Sequence, residues 1–351
     1  MGFIITLLIL ILMLGIIIFI HEFGHFLAAK KNGVYVDEFA LGMGPTIFKY
    51  KPKKSETTYS LRAFPIGGFV SMAEKSSKEF KLKKSQVLEN KNFFQVLSVL
   101  IMGILFNFIL AIVVFFISGL IYGRPLNEPY LGAVMEDGPA MKAGLSEGDR
   151  IIEVNDVKTT TWDDVLLEIS AKKPLESYEF KVIKTDGTYA SYTVVPIIEK
   201  DKEGKESRVF GIAMGETKYE KGFVPAVKYG FVGFAENFKT ILRVLGSLFA
   251  GNVPVSSLSG PVGIFTIIDQ VKASGMETLL YLLAYLSVNV GIINLIPIPV
   301  FDGGRVLLLI IEKITKKKCN EKVENAINLI GFGLMILLML YVTFNDIIKL
   351  F

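Results

Sequence analysis

No charged residue falls between Gly2 and Ile20, and the next five residues read His21-Glu22-Phe23-Gly24-His25. As a helix rising about 1.5 Å per residue, the uncharged run reaches about 28 Å, close to the hydrocarbon thickness of a bilayer. A cleaved signal peptide would start on basic residues, have a shorter apolar core and offer a small-residue cleavage site. None of these is present, and the apolar character continues through Phe26, Leu27, Ala28 and Ala29. The reading is a membrane anchor that carries two imidazoles and a carboxylate into the bilayer.

Three more apolar stretches are expected to cross: about 93–122, about 278–296, and about 326–341 with a possible extension to Phe344. Composition agrees, with 51% hydrophobic and only 21% charged residues and a mean hydropathy of +0.49. These values exclude a single soluble globule and a disordered chain. A net charge of +4 gives no reason to expect nucleic acid as a partner. Cys319 is the only cysteine, so neither an intrachain disulfide nor a cysteine-based metal site is available.

Charge sets the expected orientation. Thirteen basic residues lie between the first two spans: Lys30, Lys31, Lys49, Lys51, Lys53, Lys54, Arg62, Lys75, Lys78, Lys81, Lys83, Lys84 and Lys91. Arg305, Lys313, Lys316, Lys317, Lys318 and Lys322 lie between the last two, whereas the other side offers little near the spans, chiefly Arg124 and Lys349. The positive-inside rule puts both lysine-rich loops in the cytoplasm. Both termini, and the segment from about Gly123 to Met276, are then extracytoplasmic.

Histidine and glutamate are costly inside a bilayer and mark function there. In a helix His21 and His25 lie one turn apart on one face, and these are the only histidines in the chain. Two imidazoles at this spacing can share one zinc ion, with Glu22 beside them as general base. Lys30 and Lys31 mark the cytoplasmic interface, so His21 sits about 13 Å deeper along the helix. Zinc needs a third protein ligand, and with no further histidine this must be a carboxylate. Asp302 stands out, in Asn294-Leu295-Ile296-Pro297-Ile298-Pro299-Val300-Phe301-Asp302-Gly303-Gly304. Two prolines break helix bonding there and two glycines free the backbone, as suits a cavity at membrane depth. A plain turn with Asp302 as a helix cap is the other reading.

The extracytoplasmic segment contains G-P-A-x-x-A-G-L-x-x-G-D-x-I-x-x-V-N from Gly138 to Asn155, which resembles a PDZ domain. On that resemblance Tyr130-Leu131-Gly132-Ala133 is the loop that receives a peptide carboxylate or strand edge, unless the module is only a steric filter. Beyond it, Val227, Phe231, Phe234, Phe238, Ile241, Leu245 and Leu248 recur at steps of three and four. They predict an amphipathic helix with Lys228, Glu236, Lys239 and Arg243 off its stripe; these charges favour a helix lying in the interface or on the membrane helices, and a fifth crossing is the other reading.

Taken together, the motifs resemble those of bacterial intramembrane zinc metalloproteases of the site-2 protease family, in the regulator-of-sigma-E protease branch with a single PDZ domain. That family pairs H-E-x-x-H in its first span with a distal N-x-x-P-x-P-x-x-D-G. Phe64-Pro65-Ile66-Gly67-Gly68-Phe69-Val70 resembles its membrane-reentrant β-loop, and Ser259-Gly260-Pro261-Val262-Gly263-Ile264 resembles the segment before its third span. Phe301 replaces the family's usual leucine, and Gly103-Ile104-Leu105-Phe106-Asn107 lacks the proline of the family's G-P-x-x-N.

The resemblance implies a multi-pass α-helical membrane protein with about four transmembrane helices, a membrane-associated β-loop and an inserted extracytoplasmic PDZ domain. The implied segments are 1–30 for the first helix, 31–92 for the β-loop region and 93–122 for the second helix. The PDZ domain takes 123–205, an amphipathic helix and linker 206–275, the third helix 276–300, the D-G motif and a cytoplasmic loop 301–324, and the fourth helix 325–351. It implies a zinc metalloendopeptidase of the bacterial cytoplasmic membrane, with Zn2+ on His21, His25 and Asp302 and with Glu22 as catalytic base. Gly67, Gly68, Phe69, Asn289, Asn294, Pro297 and Pro299 are the implied substrate-binding residues. The implied partners are the lipid bilayer and the transmembrane segments of single-span proteins, such as anti-sigma factors, and leftover signal peptides. A catalytically inactive membrane-embedded PDZ scaffold is the rival, and it would be expected to lack one of the four central residues. A metal transporter would spread polar residues through several spans, and spans two and four are almost wholly apolar.

Overall fold

A computed structural model describes residues 2–53, 55–75, 82–126, 128–171, 175–200, 206–215, 218–251 and 253–350. Lys54, Lys78 and Lys81 of the basic loop lie outside the described residues. The helices are α1 (Gly2–Lys31), α2 (Phe93–Ile121), α3 (Pro139–Ala143), α4 (Trp162–Ala171), α5 (Phe223–Phe249), α6 (Pro261–Val271), α7 (Met276–Leu295), α8 (Asp302–Thr315) and α9 (Glu321–Ile348). Four of them, α1, α2, α7 and α9, are long and apolar enough to cross a membrane. The chain divides into two compact units. One comprises Met1–Ile121, Ala226–Arg243 and Val255–Phe351, the other Tyr122–Pro225 and Val244–Pro254.

In the first unit the spans meet through small residues, as helices do where lipid removes the hydrophobic driving force. A side chain at Gly24 of α1 would strike the Met102 carbonyl of α2, so the two backbones touch there. Gly291 of α7 lies against the Phe108 ring of α2, and Ser287 Oγ donates to the Asn107 carbonyl at 2.8 Å. The amphipathic helix α5 packs on α2, with Ile241 of the expected stripe buried and Phe234 and Phe238 half-buried, but its most buried line runs one position to the side. Ala226, Gly230, Gly233 and Asn237 are buried, whereas Phe231 of the expected stripe is 61% exposed. Glycine permits the closer approach: Gly230 faces the Ile112 carbonyl and Gly233 the Phe115 ring. Phe234 and Phe238 flank the contact against Phe108.

Strands β1 (Val36–Tyr50) and β2 (Thr58–Met72) form the loop region after α1. They are bent, so that Phe39 pairs with Val70 on one side and with Tyr59 on the other, while Tyr59 also pairs with Tyr50. The order across this sheet is therefore 68–72, 36–41, 58–61, 48–50, which leaves Gly68–Met72 as an outer strand. Gly42, Gly44 and Gly67 take positive φ at the bends.

After α7 the chain breaks at Pro297 and Pro299 and restarts as α8. Residues 301–324 are thus not the loop expected: α8 begins on Asp302 itself. The glycines explain how. A side chain at Gly303 would meet the Leu295 and Ile296 carbonyls, and one at Gly304 the Ile298 carbonyl, so the two chain segments pack backbone to backbone. Val300 has φ of 90°, a strained value for a β-branched residue.

The second unit contains β3 (Arg124–Leu126), β4 (Leu131–Val134), β5 (Arg150–Val154), β6 (Val157–Lys158), β7 (Tyr178–Ile183), β8 (Tyr189–Val194), β9 (Ile197–Lys200), β10 (Glu206–Val209), β11 (Ile212–Met214) and β12 (Lys218–Glu220). A four-stranded sheet of order β6-β5-β7-β8 encloses a core that includes Leu131, Ile151, Trp162, Tyr178 and Phe210. The unit runs past the boundary at 205 drawn from sequence, because β11 pairs with β4 and β12 pairs with β3. Gly132, in the stretch expected to receive a ligand, lies in β4 instead. That strand is paired with β11, and Leu131 also bonds Asp149 and Gly148 through its N–H and carbonyl. The unit's open groove, about 500 Å³, lies between α4 and β10–β11 and is lined by Trp162, Leu166, Ile169, Phe210 and Ile212.

Candidate metal centre

The first helix delivers His21, Glu22 and His25, and the start of α8 delivers Asp302. His21 Nε2 and His25 Nε2 lie 3.1 Å apart. Asp302 Oδ2 lies 3.1 Å from the first and 3.3 Å from the second. Zinc–ligand bonds of 2.0–2.1 Å in a tetrahedron give ligand–ligand edges of roughly 3.3 Å. The three atoms therefore stand where one face of such a tetrahedron would.

Their chemistry fits a cation as well. His25 Nδ1 donates to the Val99 carbonyl at 2.7 Å, so its Nε2 presents a lone pair. Asp302 Oδ2 is buried and receives no hydrogen bond. Asn107 of α2 stands 3.3 Å from His21 Nδ1, and its own Oδ1 is buried without a partner. Turning that amide over lets Oδ1 accept from His21 Nδ1–H and aims the second Nε2 lone pair at the same point. Three electron-rich atoms converging in a buried place repel one another unless a positive ion stands between them. Among the described residues, His21, His25 and Asp302 are the group that could hold a metal.

Glu22 lies outside this triangle and faces the β-sheet, with the Val70 backbone within hydrogen-bonding reach of its carboxylate. A cavity of about 370 Å³ opens beside the four residues, and its wall includes Phe69, Val70 and Asn294. Gly68 adjoins it, since a side chain there would stand 3.6 Å from Glu22 Cγ. Gly67 shapes the bend against Met43. Pro297 and Pro299 do not line the cavity; Pro299 packs on Gly331 of α9. Asn289 is not brought to the site either, because its Nδ2 donates to the Tyr285 carbonyl of its own helix at 3.0 Å.

Three features were not assigned from sequence. Asn107 is placed to orient His21, and an amide midway along a charge-free span is the signal that marks it. Gly24 and Gly103 allow α1 and α2 to approach, and a side chain at Gly103 would strike the His25 ring. Glu74 and Arg305 border the cavity as a pair of opposite charges.

The model of peptidase family M50 matches residues 9–338. The regulator of sigma-W protease RasP of Bacillus subtilis is 34% identical, over 99% of this chain and 100% of its own length. The zinc metalloproteases RasP of Geobacillus kaustophilus and Bacillus licheniformis are each 32% identical, over 97% and 99% of this chain and the same shares of their own lengths.

Proposed function

The chain belongs to peptidase family M50, the site-2 proteases, and is a multi-pass membrane zinc metalloendopeptidase; on that premise we propose that it cleaves single-span membrane proteins within their transmembrane segments, using His21, His25 and Asp302 to hold Zn2+ and Glu22 as the base. The observation that carries the residue assignment is the triangle of His21 Nε2, His25 Nε2 and Asp302 Oδ2, with edges of 3.1, 3.1 and 3.3 Å. Zinc bound there supplies a Lewis acid, which polarises a carbonyl and raises the acidity of water.

The chain's own groups do the rest. Glu22 accepts a proton from the attacking water on a carboxylate oxygen and returns it to the leaving amine. A transmembrane helix hides its carbonyls in its own hydrogen bonds, so the substrate must be unwound before attack. The outer strand Gly68–Met72 offers a row of backbone groups to an extended peptide. The position of Phe69 and Val70 in the cavity wall supports its use as that platform, with Asn294 opposite. Val99 and Asn107 hold the two imidazoles in the orientation that the metal requires.

The substrate class follows from the B. subtilis relative, whose name identifies it as a regulator of sigma-W. Anti-sigma-factor-like single-span proteins, together with remnant signal peptides, are the proposed substrates. The lysine-rich loops face the cytoplasm, and the Gly2 end of α1, the Ile348 end of α9 and the inserted unit lie outside the bacterial cytoplasmic membrane. That unit is a PDZ-like module spanning about 123–220, and it excludes substrates with bulky external domains.

The test is reconstitution in lipid vesicles with a single-span model substrate. Wild-type protein cuts within the membrane segment, whereas Glu22→Gln retains zinc and loses cleavage by roughly 10²–10⁴-fold. Cleavage by Glu22→Gln at the wild-type rate refutes the role given to Glu22.

A further inference from the structure

The wall of the metal-centre cavity carries two charged side chains that peptide hydrolysis as derived above does not use, Glu74 and Arg305. Arg305 Nη2 lies 3.0 Å from Glu74 Oε1. Arg305 stands three residues after Asp302 on α8, so both project from one face of the helix. Glu74 follows the end of β2 by two residues. The ion pair thus joins the strand that contributes Phe69 and Val70 to the helix turn that contributes Asp302.

Glu74 stands on backbone that is held on both sides. Ala73 N–H donates to Tyr35 at 2.9 Å, and the Ala73 and Glu74 carbonyls accept from Leu88 and Glu89 at 2.8 and 3.0 Å, which ties the Glu74 segment to the turns before α2. A second pair, Lys75 Nζ with Glu324 Oε2 at 3.5 Å, ties the same segment to α9. The start of α8 packs on the end of α7 through Gly303 and Gly304. Asp302 follows a double proline break and the strained Val300, so no continuous helix sets its distance from β2.

We propose that Arg305 is a positioning residue: through Glu74 it fixes the spacing between the peptide-receiving edge of β2 and the turn of α8 that bears Asp302. The inference rests on the reading of His21, His25 and Asp302 as the ligand set and of β2 as the substrate platform. A bound peptide must lie within a fraction of an ångström of its reactive position, and a shift of about 1 Å costs up to about 100-fold in rate. Both side chains are a little under half exposed, and such a pair in open water contributes little. This one borders a cleft walled by Met72, Leu88 and Val300, where water screens less. Arginine suits the task, because its planar fork defines a direction as well as a charge.

The test uses the full chain in lipid vesicles with a single-span substrate. The variants are Arg305→Ala, Glu74→Ala, the double alanine variant and the exchange Glu74→Arg with Arg305→Glu. Zinc release into a chelator is followed separately, with each change placed on Glu22→Gln so that activity plays no part. Each single alanine variant is expected to lower kcat/KM roughly tenfold and to release zinc several-fold faster. The double variant should lose no more than either single one, and the exchange should recover most of the loss. Wild-type rates in the single variants overturn the proposal, and so do losses that simply multiply in the double variant. The multiplication test holds even if one variant is less stable, because it compares ratios around a cycle. Wild-type protein that neither cleaves nor holds zinc would defeat the underlying functional reading, whereas active wild type with uncoupled variants defeats only the role of Arg305.

Discussion

His25 Nδ1 donates to the carbonyl of Val99 at 2.7 Å, and this bond leaves Nε2 of the same ring to face His21 and Asp302 at the proposed metal site. Val99 lies on α2 one turn before Gly103, and the bare backbone of Gly103 gives the imidazole room to lie flat against that helix. The bond fixes which nitrogen carries the proton, so the other faces His21 and Asp302 with its lone pair. Close packing of two apolar helices thereby sets the donor atom of a third element's partner.

Gly103→Ala tests this arrangement without replacing any of the three proposed ligand residues. The added methyl would occupy the place of the His25 ring, which must swing away from Val99. Zinc affinity, read by competition with a chromogenic chelator, should fall about 10- to 100-fold. An unchanged affinity would show that the crossing does not orient the ring.

Much of this site is legible in the chain itself. Two histidines one turn apart beside a glutamate, inside a charge-free run, leave little other use for them, and Asp302 follows the most disrupted backbone near a span. Asn289 misleads because an amide in a span can satisfy itself on its own helix, and Tyr285 is always four residues away. The burial of α5 misleads for another reason. Periodicity reports where apolar side chains lie, but Gly230 and Gly233 bring backbones together one position to the side of the stripe, and a glycine leaves no apolar mark in the pattern. The extent of the second unit was hidden because Ile212–Met214 and Lys218–Glu220 pair with strands near residue 130, and such distant pairing leaves no local mark.

Metal removal gives a second prediction. Without zinc, Asp302 Oδ2 is a buried anion facing two imidazole nitrogens, and its neutralisation should relieve the strain. Metal-free Asp302→Asn is therefore expected to melt at or above the temperature of metal-free wild type. Added zinc at 100 times its dissociation constant should stabilise wild type by about 2.7 kcal/mol and leave the variant unmoved. Thermal unfolding in detergent, with and without zinc, measures both. Equal zinc stabilisation of the two proteins would remove Asp302 from the ligand set.

Asp346 provides a third prediction, on stability. It is a buried carboxylate near the end of α9, and its Oδ2 accepts from the N–H groups of Gly260 and Gly263, each at 2.8 Å. These are the exposed donors at the start of α6, and the missing side chains of both glycines make room for the carboxylate. Asp346→Ala strands two donors and should cost about 1–3 kcal/mol. Asp346→Asn keeps an acceptor oxygen and should cost less. Unfolding in detergent ranks the three proteins, and an alanine variant as stable as wild type would mean that water replaces the carboxylate.

The substrate platform gives the last prediction, and it separates capture of peptide from binding of metal. Gly68 lies on the outer strand of the sheet, and a side chain there would come within 2.9 Å of the Ala40 carbonyl and 3.6 Å of Glu22 Cγ. Valine at this position must push the strand away from β1 or crowd the base, and either change disturbs the edge that an extended peptide would join. None of the three proposed ligand atoms is among the nearest neighbours of that side chain. Gly68→Val is therefore expected to bind zinc as wild type does while losing roughly tenfold or more in kcat/KM on a single-span substrate. Zinc content and steady-state cleavage in vesicles decide it. Loss of zinc together with activity would mean that the strand supports the ligands themselves, and undiminished cleavage would mean that substrate does not lie along Gly68–Met72.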